Sequence, residues 1–503
     1  MRIARLALLC AAIVAVGVVL VSGGHSADPR TPAALPGVPP PFLGTAVVGS
    51  GELTAAIDAY GDVVDLRARP AGGPLIDNPS ARQAAGTVPA DTGIVPRLRI
   101  RGGPPRPFWE AERIRQRYRP GTNVVVVEAE FPATRAKLVY AARGALLACR
   151  TWASAGARVT LSRRDREPGS LLHCDDRAAA ATIRVAERSD RSWLARARPL
   201  GEAAPAWALA MYRRSLLTLR ALTDRRSGAA VAGARDGWAY VWPRDAGTTA
   251  LALAAAGYEP EARRVARFLL GLDLGAAARF DGDGGPVPGR EAQGDASGWV
   301  TAAARASGLP SPAPSLPWRD RSDYQEGAPG TYLANAIASF RPMVDEVAEL
   351  AASFGSPAGL AWEADDPGSG LDSAAAWAVR PFPRPALFPA ARRTLLTLAH
   401  GQTRFGITPG ESWAGIDPWA APTAWSAWSL AALSVLEQRH GSDASAREDR
   451  RAALGLLAAL RRAATPAGAL PERVDASTGI PTSTTPLAWP HAFAILTLHQ
   501  LWP

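Results

Sequence analysis

Two textures divide the chain. From Phe42 to about Asp190, apolar residues alternate or run in short stretches: FLGTAVV, LTAAIDAYGDVVDLRA, RLRIR, NVVVVEAEF, AKLVYAA and ARVTLS, bounded by Gly, Pro and Asp. Alternation with a period of two sends successive side chains to opposite faces, so these segments read as strands of an antiparallel β-domain, a sandwich. After about Trp193, Ala, Leu and Arg recur at helical spacing in AWALAMYRRSLLTLRALT, EARRVARFLLGL, VDEVAELAASF, AARRTLLTLAH, TAWSAWSLAALSVLEQ, REDRRAALGLLAALRRA and PHAFAILTLHQL. Gly/Pro-rich loops such as 273–330 and 401–422 separate them. Many helices joined by long loops suit an α/α toroid whose loops build a site at one end. A helical solenoid is the alternative, but no fixed repeat length is visible.

The first residues follow neither pattern. Arg2 and Arg5 precede an apolar run from Leu6 to Val21, then small residues, then the Pro-rich stretch ADPRTPAALPGVPPPF. That order is a secretory signal's. The run lies between the usual length of a signal core and the roughly 18 residues of a spanning helix, so a cleaved signal and a retained membrane anchor both remain open. Either way the rest of the chain is expected outside the cytoplasm. The expected organisation is 1–27 signal or anchor, 28–41 linker, 42–195 β-sandwich and 196–503 helical catalytic domain.

Composition narrows the function classes. A length of 503 residues exceeds one small core, and 47% hydrophobic with 20% charged residues describes a globular protein. The net charge of +10 is carried by dispersed arginines, with Lys137 the sole lysine. With no basic block and no zinc-finger spacing, nucleic acid is not the expected partner. Cys10 lies inside the apolar run, which leaves Cys149 and Cys174, 25 positions apart, to form one disulfide or remain two buried thiols. No CxxC or Cys/His cluster suggests a metal, and no long coiled coil suggests an oligomer, so a monomer without cofactor is expected.

Three loop segments place ionisable groups beside aromatics. The first is Trp238-Ala239-Tyr240-Val241-Trp242-Pro243-Arg244-Asp245, where the Arg–Asp pair stands at a helix start. The second is Asp323-Tyr324-Gln325-Glu326-Gly327. The third is Leu470-Pro471-Glu472-Arg473-Val474-Asp475, followed by Pro486-Leu487-Ala488-Trp489-Pro490-His491. Glycosidic cleavage needs two carboxyl groups flanking one bond, one protonated and one ionised, and glutamates on separate loops could supply them. Taken singly, Asp245 is equally an N-cap and each glutamate a solvated loop residue.

At these residues the sequence resembles glycoside hydrolase family 15, the glucoamylase-like family, in its bacterial form. YVWPRDAGTTALALAAAGY is similar to the family's sugar-binding stretch, and LPERVDASTGIPTSTTPLAWPHAFAIL to the stretch carrying its catalytic base. GLDSAAAWAVRPF and TRFGITPGESWAGIDPWAAPTAWSAWSL resemble intervening segments. The resemblance implies an N-terminal antiparallel β-sandwich followed by an (α/α)6 toroid, carbohydrate as partner and no cofactor. It implies Glu326 as general acid and Glu472 as general base. Tyr240, Trp242, Arg244, Asp245, Arg404, Trp413, Trp419 and Trp489 become substrate contacts. The acid segment departs from the family's Asp-Leu-Trp-Glu-Glu: Gln325 replaces Trp and Gly327 replaces the second Glu. Asp417 stands where Asn is usual, and Glu363 is a fallback acid. The expected activity is inverting, exo-acting release of a terminal α-linked glucosyl-type unit. A non-catalytic carbohydrate-binding protein, a trehalase and a glucosyl-transfer variant are the alternatives.

Overall fold

The computed structural model describes residues 46–77, 93–163, 172–311, 316–339 and 344–503. The expected signal or anchor (1–27) and linker (28–41) lie outside the described residues.

The N-terminal part is two facing sheets. One has the order β1 (Ala46–Gly49), β2 (Thr54–Ile57), β3 (Val63–Arg67), β5 (Ile94–Ile100) and β11 (Ala157–Arg163), with β4 (Pro74–Asp77) paired to β3 and β6 (Arg106–Pro107) to β5. The other runs β12 (Leu172–Cys174), β10 (Leu146–Ala153), β9 (Thr134–Arg143), β8 (Val125–Phe131) and β7 (Arg113–Tyr118). All pairings are antiparallel except β10 with β12. Ile57, Leu66 and Leu98 from the first sheet pack with Val127, Leu138 and Tyr140 from the second, as alternation requires. The parallel β12 ends at Cys174, which is disulfide-bonded to Cys149 on β10.

The strand-rich reading up to Asp190 needs one correction. Residues Arg177–Leu194 form a helix, α1, capped by the Asp176 side chain, which accepts from the Ala179 N–H at 2.6 Å. Its Ala179, Ile183 and Ala186 cover the outer face of the second sheet at Val124, Val126, Val139, Ala141 and Ala148.

Among the described residues ten more helices follow: α2 (Ala206–Leu222), α3 (Pro243–Ala255), α4 (Glu259–Leu270), α5 (Ala296–Ala306), α6 (Leu333–Ser339), α7 (Val344–Phe354), α8 (Phe388–His400), α9 (Ala420–Arg439), α10 (Asp443–Ala463) and α11 (Ala488–Leu501). Helices α3, α9 and α11 are buried on nearly every side, whereas α4 and α10 bury one stripe and turn their arginines outward. Helix α5 falls inside 273–330, read from sequence as loop. A short hairpin, β13 (Ala361–Glu363) and β14 (Asp366–Leu371), interrupts the helices.

Buried polar groups join the two parts. The Asn123 amide donates to the Gly49 and Leu217 carbonyls, both at 2.9 Å. Arg214 on α2 donates to the Thr122 carbonyl at 3.0 Å and lies over the Tyr118 ring at 3.7 Å. The start and end of the helical part also meet. Gly201 N–H donates to the Trp502 carbonyl at 3.0 Å, Ala488 N–H donates to the Ala232 carbonyl at 2.7 Å, and α2 packs against α11. Among the described residues no helix is long and apolar enough to cross a membrane.

Candidate active site

The connections around α3, α9 and α11 surround a hollow of about 580 Å³, open mouth included. Trp242, Arg244 and Asp245 enter from the start of α3. Glu326 enters from the turn ahead of α6, Trp419 from the start of α9, Glu472 from the connection after α10, and Trp489 from α11. Seven residues singled out from sequence thus line one space. Tyr240, Arg404 and Trp413 are not among its lining residues. Tyr240 lies beneath the Arg279 guanidinium at 4.9 Å, Trp413 stacks edge-on against Trp419 at 5.0 Å, and Arg404 is exposed beside Phe405.

Local chemistry explains how each group is held. Pro243 opens α3 and Trp242 before it is extended, so Arg244 and Asp245 occupy the first turn. Arg244 is buried, donates to Gln293 at 2.8 Å and Asp295 at 2.9 Å, and lies over the Trp489 ring at 4.7 Å. Burial pushes the Asp245 carboxyl up to about 7; Arg244 opposes the rise and Glu472 adds to it. Partly protonated near neutrality, Asp245 can donate as well as accept, which suits a sugar hydroxyl.

Glu326 sits in a turn closed by its own N–H on the Asp323 carbonyl at 3.0 Å, and its φ is +59°. One carboxyl oxygen accepts from the Trp242 indole at 3.3 Å, and the other pairs with Arg290. Asp323 anchors the turn by accepting from Trp362 Nε1 at 3.0 Å and Gln325 N at 2.9 Å. Gln325, standing where the resemblance has Trp, donates to Asp372 at 3.0 Å, as does the Tyr324 hydroxyl.

Glu472 accepts from Ser483. Its N–H and carbonyl bond Thr484 O and Ala420 N, both at 2.9 Å, which ties its loop to α9. Two residues earlier, Leu470 N donates to His491 Nε2 at 3.0 Å, while His491 Nδ1 meets Ser215 at 2.9 Å. Burial holds this imidazole neutral, well below its usual range, so Nε2 can accept. Glu363, the fallback acid, lies on β13 and is not among the lining residues.

Sequence reasoning missed Arg290, Gln293 and Asp295. Their signal was the polar run Arg290-Glu291-Ala292-Gln293-Gly294-Asp295 directly ahead of an Ala-rich segment. Among the described residues no cluster of His, Cys, Asp and Glu could hold a metal ion.

The hollow is thus walled by tryptophans, an Arg–Asp pair and two further carboxyl groups, and both the fold and part of the sequence have known counterparts. The fold is similar to a bacterial glucoamylase complexed with acarbose, with a TM-score of 0.68 over 92% of this chain and 94% of that one at 11% identity. A glycosidase wild type (19% identity, 59% of this chain, 99% of that one, TM-score 0.48) and the Hormoconis resinae glucoamylase (12%, 59%, 73%, TM-score 0.48) are also similar. Residues 206–272, which carry Trp242, Arg244 and Asp245, match the profile of Glycosyl hydrolases family 15. No curated protein matches the sequence. The fold is glucoamylase-like, and one stretch of the chain, residues 206–272, carries the family 15 profile.

Proposed function

We propose that the chain is an inverting, exo-acting hydrolase that releases a terminal α-linked glucosyl-type unit from an oligo- or polysaccharide outside the cytoplasm. The observation that carries the reading is that Glu326 and Glu472, from loops far apart in sequence, line one tryptophan-walled hollow. The helices would form the paired rings of an (α/α)6 toroid, consistent with buried α3, α9 and α11 beside amphipathic α4 and α10. The apolar leader and the Cys149–Cys174 disulfide support export, whether as a secreted or an anchored protein.

In this reading Arg244 and Asp245 bind hydroxyls of the terminal sugar, while Trp242, Trp419 and Trp489 offer apolar faces to its ring. Glu326 protonates the leaving oxygen as the glycosidic bond breaks. Glu472 takes a proton from the water that attacks the anomeric carbon on the opposite face. The single displacement requires roughly 6.5–9.5 Å between the two carboxyl groups, so that the water fits.

Purified protein should cleave at least one of maltose, isomaltose, trehalose, dextran and starch. NMR of the first-formed sugar should show inverted configuration, and retained configuration would overturn the mechanism. Glu326→Gln and Glu472→Gln should each lower kcat by about 10³-fold, in line with the loss of an acid or base. One feature favours a binding protein instead, namely the ion pair that Arg290 makes with Glu326. In that case wild type turns over none of these sugars, and Glu472→Gln leaves binding unchanged.

A further inference from the structure

Beyond Glu326 the catalytic hollow continues into a second basin of about 900 Å³, open mouth included. Arg290 and Glu326 line both spaces, and Arg279, Glu291, Gln293 and Ser322 belong to the basin's wall. None of the basin's lining residues is aromatic, in contrast to the tryptophans on the sugar side. What the basin offers instead is guanidinium. Arg279 is oriented by the Gly237 carbonyl at 3.2 Å and the Pro288 carbonyl at 3.4 Å, and by the rings of Tyr240 and Trp242 at 4.9 and 5.7 Å. Arg290 pairs with Glu326. The two arginines lie close enough to feel each other. Burial and then the Arg279 charge lower Arg290's affinity for its proton, and the nearby Glu472 partly offsets them.

This arrangement sets a chemical condition on the proposed acid. A carboxyl that donates a proton to the leaving oxygen must hold that proton when substrate is bound, and a protonated Glu326 no longer balances Arg290. The half-exposed guanidinium is then left to water and to the more distant Glu472, and an anionic group on the substrate can take the place Glu326 gives up. In the proposed mechanism Glu326 faces the leaving oxygen, and because Glu326 also lines the basin, the leaving unit would extend toward it. We infer that the natural substrate carries an anionic group, a carboxylate or a phosphate, on the unit that leaves, and that Arg290 with Arg279 is its anchor. A planar guanidinium matches either group in a two-pronged pairing. Binding such a substrate draws Arg290 away from Glu326 and readies the acid, so productive cleavage is coupled to recognition of the leaving unit.

The inference rests on Glu326 being the acid, and the test separates the two ideas. The full chain is assayed on maltitol, whose leaving unit is a neutral open chain, on maltobionate, in which that unit ends in a carboxylate, and on maltose phosphorylated at the 6-position of the leaving glucose. The corresponding isomaltose series covers the other linkage. An anionic substrate should exceed its neutral counterpart in kcat/KM by roughly tenfold or more. Arg290→Gln should reduce that preference to about twofold, and Arg290→Lys should retain part of it. The carboxylate and phosphate arms decide which anion is meant. Equal rates for neutral and anionic substrates, or a preference that survives Arg290→Gln, overturn the inference and leave the hydrolase reading standing. If wild type cleaves none of these sugars, the hydrolase reading fails, and calorimetric titration of the same ligands decides the site. Tighter binding of an anionic ligand that Arg290→Gln abolishes supports the anchor, while equal binding or none overturns it.

Discussion

Asp372 lies behind the acid turn, accepting from Tyr324 and Gln325, and burial raises its carboxyl to about 8, with Asp323 adding to the effect. From about pH 4 to pH 8 the folded protein therefore holds a proton that the unfolded chain has released. This contribution to stability is complete below pH 4 and fades as pH rises toward 8. Asp372→Asn removes the titration, so its Tm should vary less than wild type between pH 4 and 8 in a thermal scan. His491 acts in the opposite sense. Because its folded form resists protonation, its contribution is lost as pH falls below about 6.5. Arg244 is held by charge of another kind, since it balances buried Asp295 beside Asp245. Arg244→Ala should cost about 3–5 kcal/mol in chemical denaturation and weaken sugar binding, because the carboxylate left behind has no counter-charge. At this scale the sequence was informative about the groups facing the hollow and nearly silent about their supports. Trp242, Arg244 and Asp245 are consecutive or nearly so and stand out locally. Asp372 and Ser483 act on partners that are not their sequence neighbours, so no periodicity or spacing marks them.

Among the elements, the strongly periodic helices were the legible ones, and α2, α4, α7, α8, α9, α10 and α11 all lie where apolar spacing places them. Two helices were hidden for different reasons. Helix α1 follows directly on strands, and its arginines and acidic residues leave only a narrow apolar stripe for the sheet. Helix α5 contains Gly298 amid a Gly-rich stretch that reads as loop. There the glycine is required by packing, because a Cβ would stand 2.2 Å from the Ala338 carbonyl oxygen on α6. Gly298→Ala should push α5 off α6 and destabilise the fold by about 1–3 kcal/mol, measurable by urea denaturation. Since Asp295 and Gln293 precede α5 directly, the same variant should also disturb the grip on Arg244 and raise KM. A neutral outcome in both assays would mean that α5 adjusts without moving its leading loop.

For the molecule as a whole, the order of strands then helices was readable from the change in hydrophobic period, although the change falls at Arg177 rather than near Trp193. How the two parts meet was not, since Asn123 and Arg214 join segments with no common pattern. The disulfide closes a 25-residue separation within the sandwich. Replacing both cysteines by Ala should lower stability by about 3 kcal/mol on the loop-entropy estimate, while sugar turnover by the folded protein should persist, because the bridge is remote from the hollow. The stitching of residue 201 to 502 and of 232 to 488 has a consequence for the life history of the chain. Leu487 and Trp489 are the last pieces of wall to be synthesised, and Ala488 between them bonds back to a segment that opens the helical part. A polypeptide clipped by a protease ahead of α11 therefore keeps Arg244, Glu326 and Glu472 but lacks the Trp489 face of the hollow, and on the proposed reading it should turn over no sugar.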